Sequence, residues 1–237
     1  MGFRWWISNS IIKSINWRIT YKPNKISEEE VAPVIQSNKS FYHKNDKKGN
    51  PCLVVRISQH FAKTATTDQE IRFAIYMLEQ GIQESDKVGA GRITLIIDLG
   101  GFTMKNADKR LIQIGKTIVT TLQDYYPERL ERVLVLKANW FYKTAYSVVK
   151  LFLHERTKAK IKILEDYQEL AEFFEPDCIL KEHGGTSDFN LQLEKRASLS
   201  NSVENSRKDI SEEEMIARME KEIEDENRDV DVKSIDT

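Results

Sequence analysis

Residues 125–164, YYPERLERVLVLKANWFYKTAYSVVKLFLHERTKAKIKIL, decide how the rest of the chain is read. A tyrosine-rich turn carrying the acid–base pair Glu128–Arg129 runs into the strand-like VLVL. An amphipathic helix follows, and then a second strand-like segment, KIKIL. The stretch reads as a strand–helix–strand unit with polar residues gathered at its ends. Within the helix, Phe141, Tyr142, Ala145, Val148, Val149, Phe152 and Leu153 cover one wide face, and Lys143, Ser147 and Lys150 lie opposite.

Upstream, the same alternation recurs. FYHKN (41–45) and PCLVVRI (51–57) are β-rich runs separated by DKKG, a turn signal, and are expected to pair as a hairpin. Thr67 and Glu70 form a candidate capping box for a helix with Ile71, Ala74, Ile75, Leu78 and Ile82 on one face. RITLIIDL (92–99) is an uninterrupted apolar run of the kind buried on both faces of a parallel sheet. A helix is expected from about Asn106, with Leu111, Ile114, Gly115, Ile118 and Leu122 at helical spacing, and a short helix near 167–174 precedes HGG at 183–185. Strand alternating with helix gives an α/β fold with a mostly parallel, mixed sheet and right-handed crossovers.

The ends differ from this body. Residues 5–22 read as a helix with an Ile11, Ile12, Ile15, Ile19 stripe, stopped by Pro23, and SEEE at 27–30 is a capping box for a second helix. Residues 186–210 are polar and poor in aromatics, as in a flexible linker. Ser211 and Glu214 then cap an acidic amphipathic helix over 211–227, with Met215, Met219 and Ile223 in a narrow stripe of the kind that marks a lone exposed helix or one packed on a neighbour, a protein partner being the alternative.

Composition limits the alternatives. The chain has 237 residues, 40% hydrophobic, enough for one large domain with appendages. Its net charge of −1 divides into +6 over residues 1–185 and −7 over 186–237, so a mildly basic body precedes an acidic tail. A basic body suits anionic headgroups, at about 1 kcal/mol per Lys or Arg near such a surface. Cys52 and Cys178 have no CxxC spacing, which argues against a zinc site or disulfide framework and for a reducing, cytoplasmic setting. No apolar run approaches the roughly 20 residues of a membrane span, so membranes, where they matter, are expected to be met peripherally.

Enzyme signatures are missing: there is no GxSxG, P-loop, GxGxxG after a strand, or HExxH. His43, His60, His154 and His183 are scattered and read as surface or packing residues. In IIDLGGFT (96–103) an Asp at a strand end precedes two glycines, a pattern that suits a metal or phosphate, but no further phosphate loop accompanies it, and a tight turn off the sheet is the simpler reading.

By sequence the chain resembles the CRAL-TRIO lipid-binding family, and within it the phosphatidylinositol transfer proteins of the secretory-pathway type. GRITLIIDLGGFTMKNAD, LQDYYPERL, KANWFYKTAYSVVKLFLHERTKAKIKIL and EHGG carry the resemblance, with INWRITYKPNKI similar to the end of the small helical module that precedes the lipid domain. The organisation this implies is a truncated helical module over 1–36, a lipid-binding domain over 37–185, and the linker and tail helix beyond. It also implies a hydrophobic pocket, floored by the sheet and closed by a gating helix, that takes one phospholipid, most simply phosphatidylinositol, and moves it between membranes. No covalent chemistry, cofactor, metal or nucleic acid is implied, and a monomer is expected. On the matching positions, the gate and wall fall to Phe141, Tyr142, Ala145, Val148, Val149, Phe152 and Leu153. The inositol-phosphate contacts fall to Glu128, Arg129, Thr157 and Lys160.

Departures from the family pattern bear on the ligand. Ile93 and Leu95 replace two hydroxyl residues associated with phosphatidylcholine, so the second ligand is open between a sterol and something else apolar. Lys150–Glu155 lacks two prolines at the gate, Leu180 replaces a proline before Gly184–Gly185, and the basic residue some members supply from the helical module has no counterpart. A second function class stays open: a scaffold that keeps the fold, transfers nothing, and acts through its acidic tail.

Overall fold

The computed structural model describes residues 2–189, and of residues 2–10 the backbone alone. The linker expected over 186–210, beyond residue 189, and the helix expected over 211–227 lie outside the described residues. The described elements, in chain order, are α1 (Gly2–Tyr21), α2 (Glu28–Gln36), β1 (Ser40–Asn45), β2 (Pro51–Arg56), α3 (Thr67–Lys87), β3 (Ile93–Asp98), α4 (Arg110–Tyr125), β4 (Leu130–Leu136), α5 (Trp140–Val149), α6 (Glu155–Lys158) and β5 (Ile161–Leu164).

The five strands lie side by side in sequence order, β1 antiparallel to β2 and the rest parallel. Asp46 explains the hairpin. One carboxylate oxygen accepts from the Lys48 and Asn50 amides, each at 2.9 Å, and the other accepts from Thr94 Oγ1 on β3 at 2.8 Å. The turn is thereby pinned to the sheet it opens.

Alternation along the strands separates two faces. Leu53, Leu95 and Val133 stand in one register row, and Val55, Ile97 and Val135 in the next; all point into a cavity beneath α3, α4 and α5. Cys52, Val54 and Ile96 face the other way, toward Leu170, Phe174, Ile179 and Leu180. Strands in sequence order, joined by crossovers of one hand, put their connecting helices on one face. The opposite face is left to residues 167–183, which form 3₁₀ turns at Tyr167–Glu172, Pro176–Cys178 and Lys181–His183.

Asp98 fastens that segment. Its carboxylate meets His183 Nε2 at 2.9 Å and accepts from the Gly100 amide at 2.8 Å and the Tyr167 hydroxyl at 3.2 Å, with the Tyr167 and His183 rings stacked at 4.4 Å. Burial alone raises this carboxyl; the bonds from His183 and Gly100 outweigh it and hold it below its ordinary value. Asp98 therefore has a structural partner at each oxygen, in agreement with the reading of IIDLGGFT as a turn off the sheet.

Several boundaries move. The capping box of α3 is Thr66–Gln69, one residue before the expected pair, and this frees Glu70 to be buried against Lys39. The helix expected from Asn106 begins at Arg110, because the Asn106 amide instead bonds the Ser58 and His60 carbonyls at 2.8 and 3.0 Å. On α1 the isoleucine stripe faces outward: Ile12, Ile15 and Ile19 are exposed. The packed side carries Trp17, stacked on Tyr21 at 4.8 Å and on Tyr125 at 4.5 Å. Arg18 adds a bidentate pair with Glu79 at 2.9 and 2.6 Å. Aromatic area and a two-pronged ion pair fix this helix more firmly than its aliphatic side chains would.

Leu180, which stands in place of a proline, has φ −60°, the angle a proline ring would impose. Gly184 follows with φ +85°, and a Cβ on Gly185 would strike the Ile179 carbonyl, which is backbone and cannot swing aside. Gly185→Ala is therefore expected to destabilise the fold by about 1–3 kcal/mol, read as a fall in Tm of several degrees. An unchanged Tm would show that the closing turn is not packed as described.

Candidate functional site

The cavity between the sheet and its helices measures about 1160 Å³, against the roughly 300–1,000 Å³ common for small-molecule pockets. Its floor is aliphatic. Ile93, Leu95 and Ile97 run along β3, flanked by Leu53 and Val55 on β2 and by Val133 and Val135 on β4. The two positions noted for lost hydroxyls, Ile93 and Leu95, are both on this floor, so the sheet offers a ligand no polar group there. Phe73, Met77 and Leu78 of α3 and Ile114, Ile118 and Leu122 of α4 make the walls. Gly115 has only Val149 Cγ2 near its missing side chain, at 3.8 Å, and so lets α5 come close to α4.

Of the seven residues expected to form the gate, Phe141, Tyr142, Ala145, Val149 and Leu153 line the cavity. Val148 and Phe152 do not. Val148, inside the helix, sits at the edge of the lining face and is 38% exposed; the helix ends at Val149, and the 3₁₀ turn over Lys150–Phe152 breaks the 3.6-residue repeat, so Phe152 lies under the Lys116 ammonium at 4.0 Å. Tyr146, which the helical face did not include, lines the cavity and stacks on Tyr142 at 5.6 Å. Burial pushes the Tyr142 hydroxyl up to about 12, so it stays neutral.

The turn that leaves α5 has a latch that sequence gave no sign of. The Gln123 side chain donates to the Phe152 carbonyl at 2.8 Å and accepts from the His154 amide at 2.7 Å. One amide thus ties α4 to the turn that leaves α5, at the place where two prolines are missing.

Glu128, Thr157 and Lys160 meet at one mouth of the cavity, together with His154, Glu155 and Arg156. Lys160 Nζ lies 3.5 Å from Glu128 Oε2 and donates to the Leu130 carbonyl at 2.6 Å. Arg92 stands 3.7 Å from the same Glu128 oxygen and 3.0 Å from Glu131, which also pairs with Lys48 at 2.6 Å. Lys48 foremost, with Arg92 and Arg132, holds the Glu131 carboxyl down to about 2 against the opposing effect of burial.

Arg129 lies off the cavity wall. Glu128 has φ +59°, in the left-handed region, and this turn sends consecutive side chains apart. Arg129 instead donates to Asp86 Oδ1 at 2.6 Å and to the Gly91 carbonyl at 3.2 Å, bracing the turn from behind.

A second polar group borders the cavity at the opposite ends of the strands. Lys39, Ser40, His60 and Glu70 all line it. His60 follows β2 and Asp108 follows β3, whereas Glu128 and Lys160 precede β4 and β5.

The CRAL/TRIO domain model matches residues 35–185, well over half of the chain, and the chain belongs to that family. It is 29% identical over 203 residues to the phosphatidylinositol/phosphatidylcholine transfer protein SFH11 of Arabidopsis thaliana, covering 74% of this chain and 54% of that one. Against the phosphatidylinositol transfer protein CSR1 of Eremothecium gossypii it is 26% identical over 203 residues, covering 79% and 46%. Against the protein real-time of Drosophila pseudoobscura it is 27% identical over 190 residues, covering 73% and 27%. The chain thus spans from about a quarter to about half of the length of these curated relatives. The crystal structure of Sfh5 shares the fold with a TM-score of 0.64 at 22% identity, over 78% of this chain and 69% of that one. Membership identifies a lipid-binding and lipid-transfer family with phosphatidylinositol transfer proteins among this chain's relatives. Among the described residues no helix is long and apolar enough to cross a membrane.

Two expectations follow from this geometry. Gln123→Ala should speed amide hydrogen exchange across residues 150–157 while β3 stays protected, since only the hinge loses bonds; equal protection in both proteins would deny the latch. Glu131 stabilises the fold fully above the unfolded carboxylate value near 4.3 and ceases to do so as pH falls toward 2. Tm should therefore decline over that interval, and Glu131→Gln should flatten the decline. A Tm profile identical in both proteins would remove Glu131 as the group responsible.

Proposed function

We propose that this chain binds a single phospholipid, phosphatidylinositol, and carries or presents it between membrane surfaces. The observation that carries the reading is an aliphatic cavity of about 1160 Å³ with Glu128, Thr157 and Lys160 together at one mouth. Transferring acyl chains from water into such walls is favourable by roughly 0.8 kcal/mol per methylene, which is what a carrier must offer to draw a lipid from a bilayer. Hydrocarbon walls do little to tell one headgroup from another, so selection falls to the polar mouth. There the Lys160 ammonium suits the phosphate, and Glu128 and the Thr157 hydroxyl suit inositol hydroxyls. Arg129 supports these groups by fixing their turn.

The aliphatic floor favours inositol over choline lipids, because no hydroxyl stands at Ile93 or Leu95. Contact with a bilayer is supported on the outer side of the gate. Trp140 and Leu151 are exposed, at 54% and 75%, beside the exposed Lys143 and Lys150, an arrangement suited to an anionic interface.

The test is transfer of labelled phosphatidylinositol and phosphatidylcholine between vesicles. Wild-type protein should move the inositol lipid preferentially. A hydrogen bond to a charged group is worth about 1.5–3 kcal/mol, so Glu128→Ala and Lys160→Ala should each slow inositol-lipid transfer about tenfold or more, with unchanged circular dichroism. Transfer at the wild-type rate by both variants would overturn the headgroup assignment.

A further inference from the structure

Arg129 braces its turn from behind, so the guanidinium that the resemblance implies at the headgroup does not come from that position. A different guanidinium borders the mouth. Arg156, an exposed residue, lines the cavity beside Thr157 and Lys160. The local backbone puts it there. α6 is a single turn, closed by the Lys158 amide on the His154 carbonyl and the Ala159 amide on the Glu155 carbonyl, each at 3.0 Å. The Lys160 amide then reaches the Thr157 carbonyl at 3.1 Å, so Arg156 and Lys160, four residues apart, stand one helical turn from each other at the same mouth. The acids nearby do not cancel this pair. Glu155 is engaged by Lys158 at 2.7 Å, and Glu128 is approached by Arg92 at 3.7 Å as well as by Lys160 at 3.5 Å. With Lys48 and Glu131 cancelling each other, Arg92, Arg156, Lys158 and Lys160 stand against Glu128 and Glu155, and the rim holds an excess of positive charge.

We propose that Arg156 is a specificity-determining residue of this mouth: with Lys160 it brackets the lipid phosphate, and it selects an anionic headgroup against a zwitterionic one. A phosphodiester has two free oxygens, one for the planar fork of a guanidinium and one for the point charge of an ammonium. Glu128 and the Thr157 hydroxyl are then left to the inositol ring, which is neutral. Phosphatidylcholine offers the same phosphate, but its quaternary ammonium has to lie beside Arg156 and Lys160, where the excess positive charge repels it. Arg156 thus reads charge, and Glu128 reads hydroxyls. The assignment rests on the reading of the cavity as an inositol-lipid site and adds to it a charge filter one helical turn before the lysine.

The test is equilibrium binding of acyl-labelled phosphatidylinositol and phosphatidylcholine to the full chain, at about 0.01 M and about 0.15 M salt, where charges are screened over about 30 and 8 Å. Arg156→Gln loses one hydrogen bond to a charged group, ~1.5 kcal/mol, and should bind the inositol lipid about tenfold more weakly, while its binding of the choline lipid does not weaken. Its inositol-lipid affinity should also fall less steeply with salt than that of the wild type. Arg156→Lys keeps the charge and should recover most of the loss. Inositol-lipid binding at wild-type strength by Arg156→Gln, equal losses for the two lipids, an unchanged salt dependence, or no recovery in Arg156→Lys overturns the assignment. In each of those cases, wild-type binding of phosphatidylinositol leaves the carrier reading standing. A wild-type chain that binds neither lipid removes both.

Discussion

Everything about the site depends on a sheet whose parallel strands follow one another in sequence order. Crossovers of one hand then place α3, α4 and α5 on the same face, and that face must serve as both core and container. Close packing of all three helices on the strands would leave no room. The volume is kept because α3 and α4 rest on each other and on α1 through Trp17, Tyr126 and the Arg18–Glu79 pair, while α5 spans the remaining gap. The other sheet face, with no crossover helix available, is sealed by the short turns that Asp98 and His183 fasten down. Stability and capacity are thus assigned to opposite sides of one sheet.

This division accounts for where the polar residues lie. Side chains along the strands on the cavity face are aliphatic, and polar groups facing the cavity gather at the two strand ends, where helices and loops supply them. At one end Glu128, Arg92, Glu131, Lys48 and Lys160 form a chain of alternating charge open to solvent, which can rearrange around a headgroup. At the other, Lys39, Glu70, His60 and Asp108 are buried and paired with one another. Between them five strand steps of about 3.3 Å separate the ends by roughly 17 Å of hydrocarbon.

The segment proposed as a gate carries the clearest link from local structure to motion. A helix of ten residues, Trp140–Val149, runs into a 3₁₀ turn and then into a four-residue helix, so the segment has few continuous backbone bonds across its end. What restrains it is the Gln123 amide, whose two bonds are made to main-chain atoms and can be exchanged for water. Low local stability of this kind is what the proposed gate needs in order to open.

The alternating strands and helices, the apolar β3, the hairpin at DKKG and most of the gate face were legible in the sequence, because period and turn chemistry are local properties. The meeting of Glu128, Thr157 and Lys160 followed from the resemblance alone; nothing in their spacing brings them together. What only the tertiary structure decided was direction. Ile12, Ile15 and Ile19 of α1 look outward because stacking of Trp17 on Tyr125, more than a hundred residues away, sets the rotation of the helix. Arg129 leaves the cavity because its neighbour adopts a left-handed turn. Val148 leaves it because the lining face of the helix is turned toward Tyr146, Phe152 because the helix ends early, and His60 enters it because Asn106 folds the loop after β3 back onto the loop after β2. Sequence by itself determined which segments could wall a hydrocarbon cavity, since that depends on composition and period. Which side chains face it, and that both of its ends are polar, depended on contacts between residues far apart in the chain.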